Sequence, residues 1–219
     1  MKRIIIATAL AGLSNLLFAQ SHFLTQEQHQ QHISISYGLR PNMALRATYA
    51  RQWPGSLPLA LTASLESSLT QRLGENVALQ LGSQYVVLQK QKFALTNELS
   101  ISAGHLETKI YKAGKWELNE LLLAGWHGRR TGIALLAGYT QNLATHLKHS
   151  DFYRETGYAD ARDGWYGGFG GYWQAGFRFN QLLWRRLDLS LQVSYANSAK
   201  GNSIGPLPVM AQLGGSWRL

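Results

Sequence analysis

The chain contains no cysteine. That excludes disulfide frameworks, thiolate-held zinc, thiol catalysis and a lipid-modified cysteine anchor together. Charge is sparse as well, with Asp, Glu, Lys and Arg forming 15% of the 219 residues. The formal net charge of +9 comes from Lys and Arg scattered along the chain rather than gathered into a stripe. A nucleic-acid partner is therefore not expected. Proline is rare, at five residues. After the first 20 residues no run of 18 or more consecutive apolar residues occurs, so no transmembrane helix is expected there.

What is present begins with MKRIIIATALAGLSNLLFAQS. Lys2 and Arg3 precede an apolar stretch from Ile4 to Phe18, and small Ala19 precedes Gln20. This layout predicts a secretory signal peptide over 1–19. Its apolar core of about 15 residues, interrupted by Ser14 and Asn15, is short for a spanning helix, which needs about 20. Residues 20–31 read as a short polar N-terminal segment rich in Gln and His. His22, His29 and His32 have the chemistry of metal ligands, but their spacing fits no standard pattern.

From residue 32 onward the dominant period is two. Leu187, Leu189, Leu191, Val193 and Tyr195 share one face, with Asp188, Ser190, Gln192 and Ser194 on the other. Phe169, Trp173, Ala175, Phe177 and Phe179 likewise oppose Tyr172, Gln174, Gly176 and Arg178. Ten such runs occur, at 32–40, 43–53, 57–72, 76–89, 92–110, 114–127, 131–146, 168–182, 185–197 and 207–219. Glu120 falls on the apolar face of the sixth run, and a bulge is one way to reset that register. Turn chemistry separates the runs: PGS at 54–56, GEN at 74–76, AGK at 113–115 and HGRR at 127–130. Two connections are longer, 147–167 and 198–206.

Most of the runs are roughly 10–16 residues long. Typical globular strands are nearer 5–6 residues, whereas a tilted membrane-crossing strand needs about 9–11. Aromatic residues gather at run ends: Trp53, Phe93, Trp126 and Trp184 beside the short turns, and Tyr111, Trp116, Tyr139, Trp165 and Tyr166 toward the other end. Their amphipathic rings suit a membrane–water interface. In hydrocarbon every strand edge must be paired, because water is absent. The expected fold is thus all-β: a transmembrane antiparallel up-and-down β-barrel over 32–219. Ten strands are expected, with eight as the alternative if 32–53 pairs irregularly. An even count places both termini in the periplasm and both long connections outside, in the outer membrane of a Gram-negative bacterium.

The last stretch, Gln212-x-Gly214-x-x-Trp217-x-Leu219, resembles the C-terminal signal by which barrel-assembly machinery recognises outer-membrane barrels, with Leu where Phe is usual. The resemblance implies that machinery as a partner. The signal peptide ending in FAQ resembles those of Bacteroidota secreted proteins. Residues 145–173, THLKHSDFYRETGYADARDGWYGGFGGYW, are similar to a stretch of small, mostly uncharacterised barrels from that group. The resemblance implies an outer-membrane home and brings no activity or cofactor.

Candidate chemistry concentrates in the longer connection. One reading is a lipid- or peptide-hydrolysing site over 146–163, for which His149, Ser150 and Asp151 supply the residue types, although triad members are normally distant in sequence. A second is mixed N/O metal ligation by His146, His149, Asp151, Asp160 and Asp163. A third is a folded, charge-paired loop that binds lipopolysaccharide, another ligand or another outer-membrane protein. Its residues are His146, His149, Asp151, Tyr153, Arg154, Asp160, Arg162, Asp163 and Trp165. Within the barrel, Arg46, Glu66, Glu98, Glu117, Arg178, Asp188 and Arg218 fall on the polar face and form a candidate ion-pair network. Such a network fills a narrow lumen, while the same residues alternatively line a pore. The function that follows is a non-enzymatic barrel serving as a binding or accessory subunit through 147–167. A barrel hydrolase and a small channel are the alternatives.

Overall fold

The computed structural model describes residues 31–40, 42–53, 59–69, 76–128, 130–156, 160, 162–167, 170–198 and 208–219. The expected signal peptide and nearly all of the polar segment after it lie outside the described residues. So do the PGS turn and most of GEN and of the second long connection.

The strands are β1 (Gln31–Arg40), β2 (Asn42–Trp53), β3 (Leu59–Ser68), β4 (Asn76–Lys90), β5 (Phe93–Glu107), β6 (Tyr111–His127), β7 (Thr131–His149), β8 (Gly164–Gly167), β9 (Gly171–Trp184), β10 (Leu187–Ser198) and β11 (Val209–Arg218). One short helix, α1 (Asp151–Thr156), lies between β7 and β8. Ten strands pair with their sequence neighbours in antiparallel fashion, β7 passing directly to β9, and β6 also pairs with β7. β1 closes the ring against β11, with Ile33 opposite Trp217 and Tyr37 opposite Leu213. The architecture is a closed ten-stranded antiparallel barrel. β8 is a short addition that folds back on the far end of β7, Trp165 opposite His146.

Alternation decides which face goes inward. Ile33, Ile35, Leu79, Leu81, Ile133, Leu135, Leu189, Leu191 and Leu213 are exposed on the outer wall. Ser64, Gln84, Thr96, Thr140, Gln174, Asn180 and Ser194 are buried inside. A water-soluble barrel reverses this arrangement; an apolar wall around a polar interior is that of a barrel crossing a membrane. The rings of Trp53, Phe93, Trp126 and Trp184 stand exposed near the rim that carries Gln31 and Arg218, here the terminal rim. Arg51 lies 5.0 Å from the Trp53 ring centre and Lys92 5.7 Å from that of Trp126, which suits an interfacial belt.

Strong coiling of the sheet requires close backbone approaches. A Cβ at Gly176 would stand 2.1 Å from the Val193 carbonyl oxygen, and one at Gly125 would stand 2.3 Å from that of Ile133. Both glycines are therefore needed for their strands to approach.

The sequence misplaced some boundaries. AGK at 113–115 is not a turn but part of β6. The chain turns instead at Thr108–Ile110, where the Thr108 hydroxyl donates to the Tyr111 carbonyl and accepts from the Ile110 and Tyr111 amides. A threonine side chain thus organises the turn, in place of the glycine at 114. β7 runs three residues beyond the expected end, to His149, because β6 and β8 pair with its extension. β6 and β7, at 17 and 19 residues, rise above the 10-residue β1 and β3 on one side of the barrel. A bulge does occur beside β6, but it lies in β7: Trp116 pairs with Ala144 and Glu117 with Asn142, leaving Leu143 extra. The alternation of β6 itself is not reset, and Glu120 stays on the outside.

Candidate functional site: the loop hairpin and the lumen

The tall extension of β6 and β7 carries the hairpin formed by α1 and β8. Ser150 caps α1, since its Oγ accepts from the Tyr153 amide at 3.2 Å, as an N-cap does. The same hydroxyl donates to the Lys109 carbonyl at 2.9 Å, and the Ser150 amide donates to the Ile110 carbonyl at 2.9 Å. The helix is thereby pinned to the β5–β6 turn.

Asp163 organises the opposite side. It accepts from the His149 backbone amide at 2.8 Å, faces His149 Nδ1 at 3.0 Å, and accepts from Arg154 Nη2 at 2.5 Å. The His149 amide, then the Arg154 guanidinium and the His149 ring, hold its carboxyl well below the usual carboxylate range. The His149 ring stacks on Tyr153 with centroids 5.3 Å apart, and His146 packs against Trp165 at 5.0 Å. Phe152 and Trp165 are exposed, at 62% and 66%. Asp151, Asp160 and Arg162 are exposed too.

The hairpin therefore brings His149, Tyr153, Arg154 and Asp163 into one cluster. It does not bring Ser150 to the His149 ring: the hydroxyl is engaged with Lys109 and Tyr153, and the ring faces Asp163. Adjacent residues here are a strand end, a helix cap and a first helical residue. No group of three or more His, Asp or Glu suited to a metal ion occurs among the described residues. His32, read with the N-terminal histidines, is a buried lumen residue in β1; His22 and His29 lie outside the described residues.

The interior is layered by ion pairs. At the terminal rim Arg218 donates to both Asp188 oxygens, Nε to Oδ2 at 2.9 Å and Nη2 to Oδ1 at 3.1 Å. Arg218, Asp188, His32 and Ser216 are 1%, 0%, 1% and 1% exposed, so these side chains are shielded from water. Deeper, Arg178 on β9 reaches Glu98 on β5 with Nη1 to Oε1 at 2.6 Å and Nη2 to Oε2 at 3.2 Å. These strands are not neighbours, so the pair crosses the lumen. Gln84 donates to Glu98 and Arg178 donates to Gln192, which ties four strands together. Arg46 binds Glu66 on the adjacent strand, and Glu117 pairs with Lys115 at 3.0 Å. Lys115 falls in the AGK stretch that reads as a turn, so its place as a lumen partner of Glu117 is visible only in the structure. A polar cavity of about 170 Å³ remains beside Arg46, Gln80, Glu98, Arg178 and Gln212.

No protein-family model matches the chain, and no curated protein matches it. Solved structures do. The chain is similar to the translocator domain of the autotransporter NalP from Neisseria meningitidis, at 11% identity, covering 100% of this chain and 96% of that one with a TM-score of 0.44. It is also similar to the KdgM porin, at 10% identity over 86% of this chain and 99% of the porin, TM-score 0.38. The NanC porin matches at 10% identity over 86% and 100%, TM-score 0.35. Likeness at this level concerns architecture alone. On its own geometry the chain is a small β-barrel of outer-membrane type.

Proposed function

We propose that the protein is a non-enzymatic outer-membrane barrel of a Gram-negative bacterium that works through its surfaces, as a binding or accessory subunit. The observation that carries this reading is the lumen. A layer of four buried side chains and an arginine–glutamate pair across the bore weigh against the open path that a channel needs. The segment 147–167, whose described residues include the exposed Phe152 and Trp165 beside charged side chains, supplies a surface for lipopolysaccharide or a protein partner. In this reading the terminal rim faces the periplasm and the hairpin faces outward. The resemblance of Gln212, Gly214, Trp217 and Leu219 to an assembly signal supports insertion by barrel-assembly machinery, and the likeness of 145–173 supports a Bacteroidota source.

Planar-bilayer recording of the purified protein tests the reading. The expected result is no current above the lipid baseline. Stable unitary steps would establish the second reading, a small channel, which the polar cavity of about 170 Å³ favours. The hydrolase alternative predicts that Ser150→Ala abolishes function. With Ser150 acting as a helix cap, that variant keeps function and loosens α1 by about 1 kcal/mol, read as faster cleavage of the hairpin in limited proteolysis.

A further inference from the structure

Glu120 points outward from β6 and is exposed, between Trp116 and Trp126 on the same face. Those rings are ten residues apart, about 33 Å along a strand at ~3.3 Å per residue. At a tilt of roughly 40° that is about 25 Å of depth, the height of an apolar membrane band. Glu120 lies four residues from Trp116 and six from Trp126, at least ~10 Å inside either belt by the same rise and tilt. The carboxylate therefore faces hydrocarbon.

Its support is thin. Asn97 Nδ2 donates to Glu120 Oε1 at 2.9 Å. Tyr139, directly opposite on β7, donates its hydroxyl to Gln141 instead, at 3.0 Å. No cation pairs with Glu120 among the described residues. The carboxylates that face the lumen are treated differently: Glu66, Glu98, Glu117 and Asp188 each hold a Lys or Arg. An unpaired ionisable group at membrane depth is costly and marks a place where something else completes the site.

We propose that the outer wall of β5–β7 around Glu120 docks a second membrane protein, which presents a lysine or arginine at the same depth. Charge complementarity selects that occupant. A lipid chain brings no cation. A second copy brings another carboxylate, since the described outward-facing strand cations Arg51, Lys90, Lys112 and Lys148 all lie near strand ends, at the rims. Leu118 and Leu122 flank Glu120 on the same strand, and small Ala137 opposite Leu122 leaves room for a close approach. This surface is separate from the hairpin; the inference shares with the proposed function only the requirement for a protein partner.

The test places a photo-cross-linking residue at Leu122 in the full-length protein in its native membrane. A control probe sits at Ile35 on β1, on the opposite side of the ring. The expected result is an adduct from position 122, and not from 35, to one membrane protein whose cross-linked segment carries a membrane-embedded lysine or arginine. Glu120→Gln and Glu120→Leu each lower the yield by at least about tenfold, equivalent to about 1.4 kcal/mol of binding. Heat-modifiable gel mobility shows that the barrel is still folded, and the near-isosteric Gln variant stands if the Leu variant does not fold. An equal yield from Glu120→Gln overturns the proposal. So does an adduct to lipid alone, to a second copy, or to a segment without a cation. Bilayer current would defeat the closed-lumen reading without affecting this cross-link, so the two fail separately.

Discussion

Arg218 and Asp188 are held out of water at the terminal rim, and neither charge is tolerable there without the other. Their bidentate geometry makes a sharp prediction. Asp188→Ala removes both of the guanidinium's bonds to its carboxylate in a buried site and costs about 3–5 kcal/mol, measured as the loss in unfolding free energy by urea titration in lipid. Arg178 and Glu98 are partly exposed and share Gln84 and Gln192 as additional partners, so truncating either has a smaller effect. The residue types were legible in the sequence, because polar positions alternate with apolar ones. The pairings were not. Arg178 and Glu98 are 80 positions apart, and only the barrel's curvature brings β9 across to β5.

At the scale of the element, the hairpin of α1 and β8 depends on one carboxylate. Asp163 serves two backbone or ring donors of His149 and the Arg154 guanidinium, and its carboxyl titrates below the usual carboxylate range. A depressed folded-state pKa contributes order that is fully present above the unfolded value, near 3.9, and is lost as pH falls through the lower folded value. The hairpin is therefore expected to keep its protease resistance from pH 7 down to about 4 and to loosen only in stronger acid. Asp163→Asn loosens it already at neutral pH, seen as faster limited proteolysis between residues 150 and 167. The sequence marked this connection as dense in chemistry, but local order alone could not show that Ser150 caps a helix while His149 turns to Asp163. That choice depends on β8 folding back on β7.

At the scale of the molecule, β11 is the seam. It pairs with β10 on one side and β1 on the other, and the Leu219 amide donates to the Gln31 carbonyl at 3.1 Å. Removing residues 209–219 exposes two unpaired edges, which hydrocarbon does not tolerate. The truncated chain is expected to lose heat-modifiable mobility and fail to insert into lipid vesicles. Closure of ten strands also leaves a narrow bore, in which side chains from facing strands can meet, as Arg178 and Glu98 do.

The sequence by itself determined the barrel class and the alternation of faces along each strand, because a period of two is a property of one strand at a time; the choice of ten strands over eight came from the regular pairing of β1 with β2 and β11. Glu120 shows where that local rule was sound and its interpretation was not. The alternation correctly placed a carboxylate on the apolar face, and a bulge was the natural escape. Only the tertiary structure could decide, through the register of β6 on β7, that the extra residue is Leu143 and that Glu120 remains exposed. Which polar groups meet inside, how the hairpin folds and where the outer wall is left incomplete all depend on contacts between strands distant in sequence, and those form only when the sheet closes.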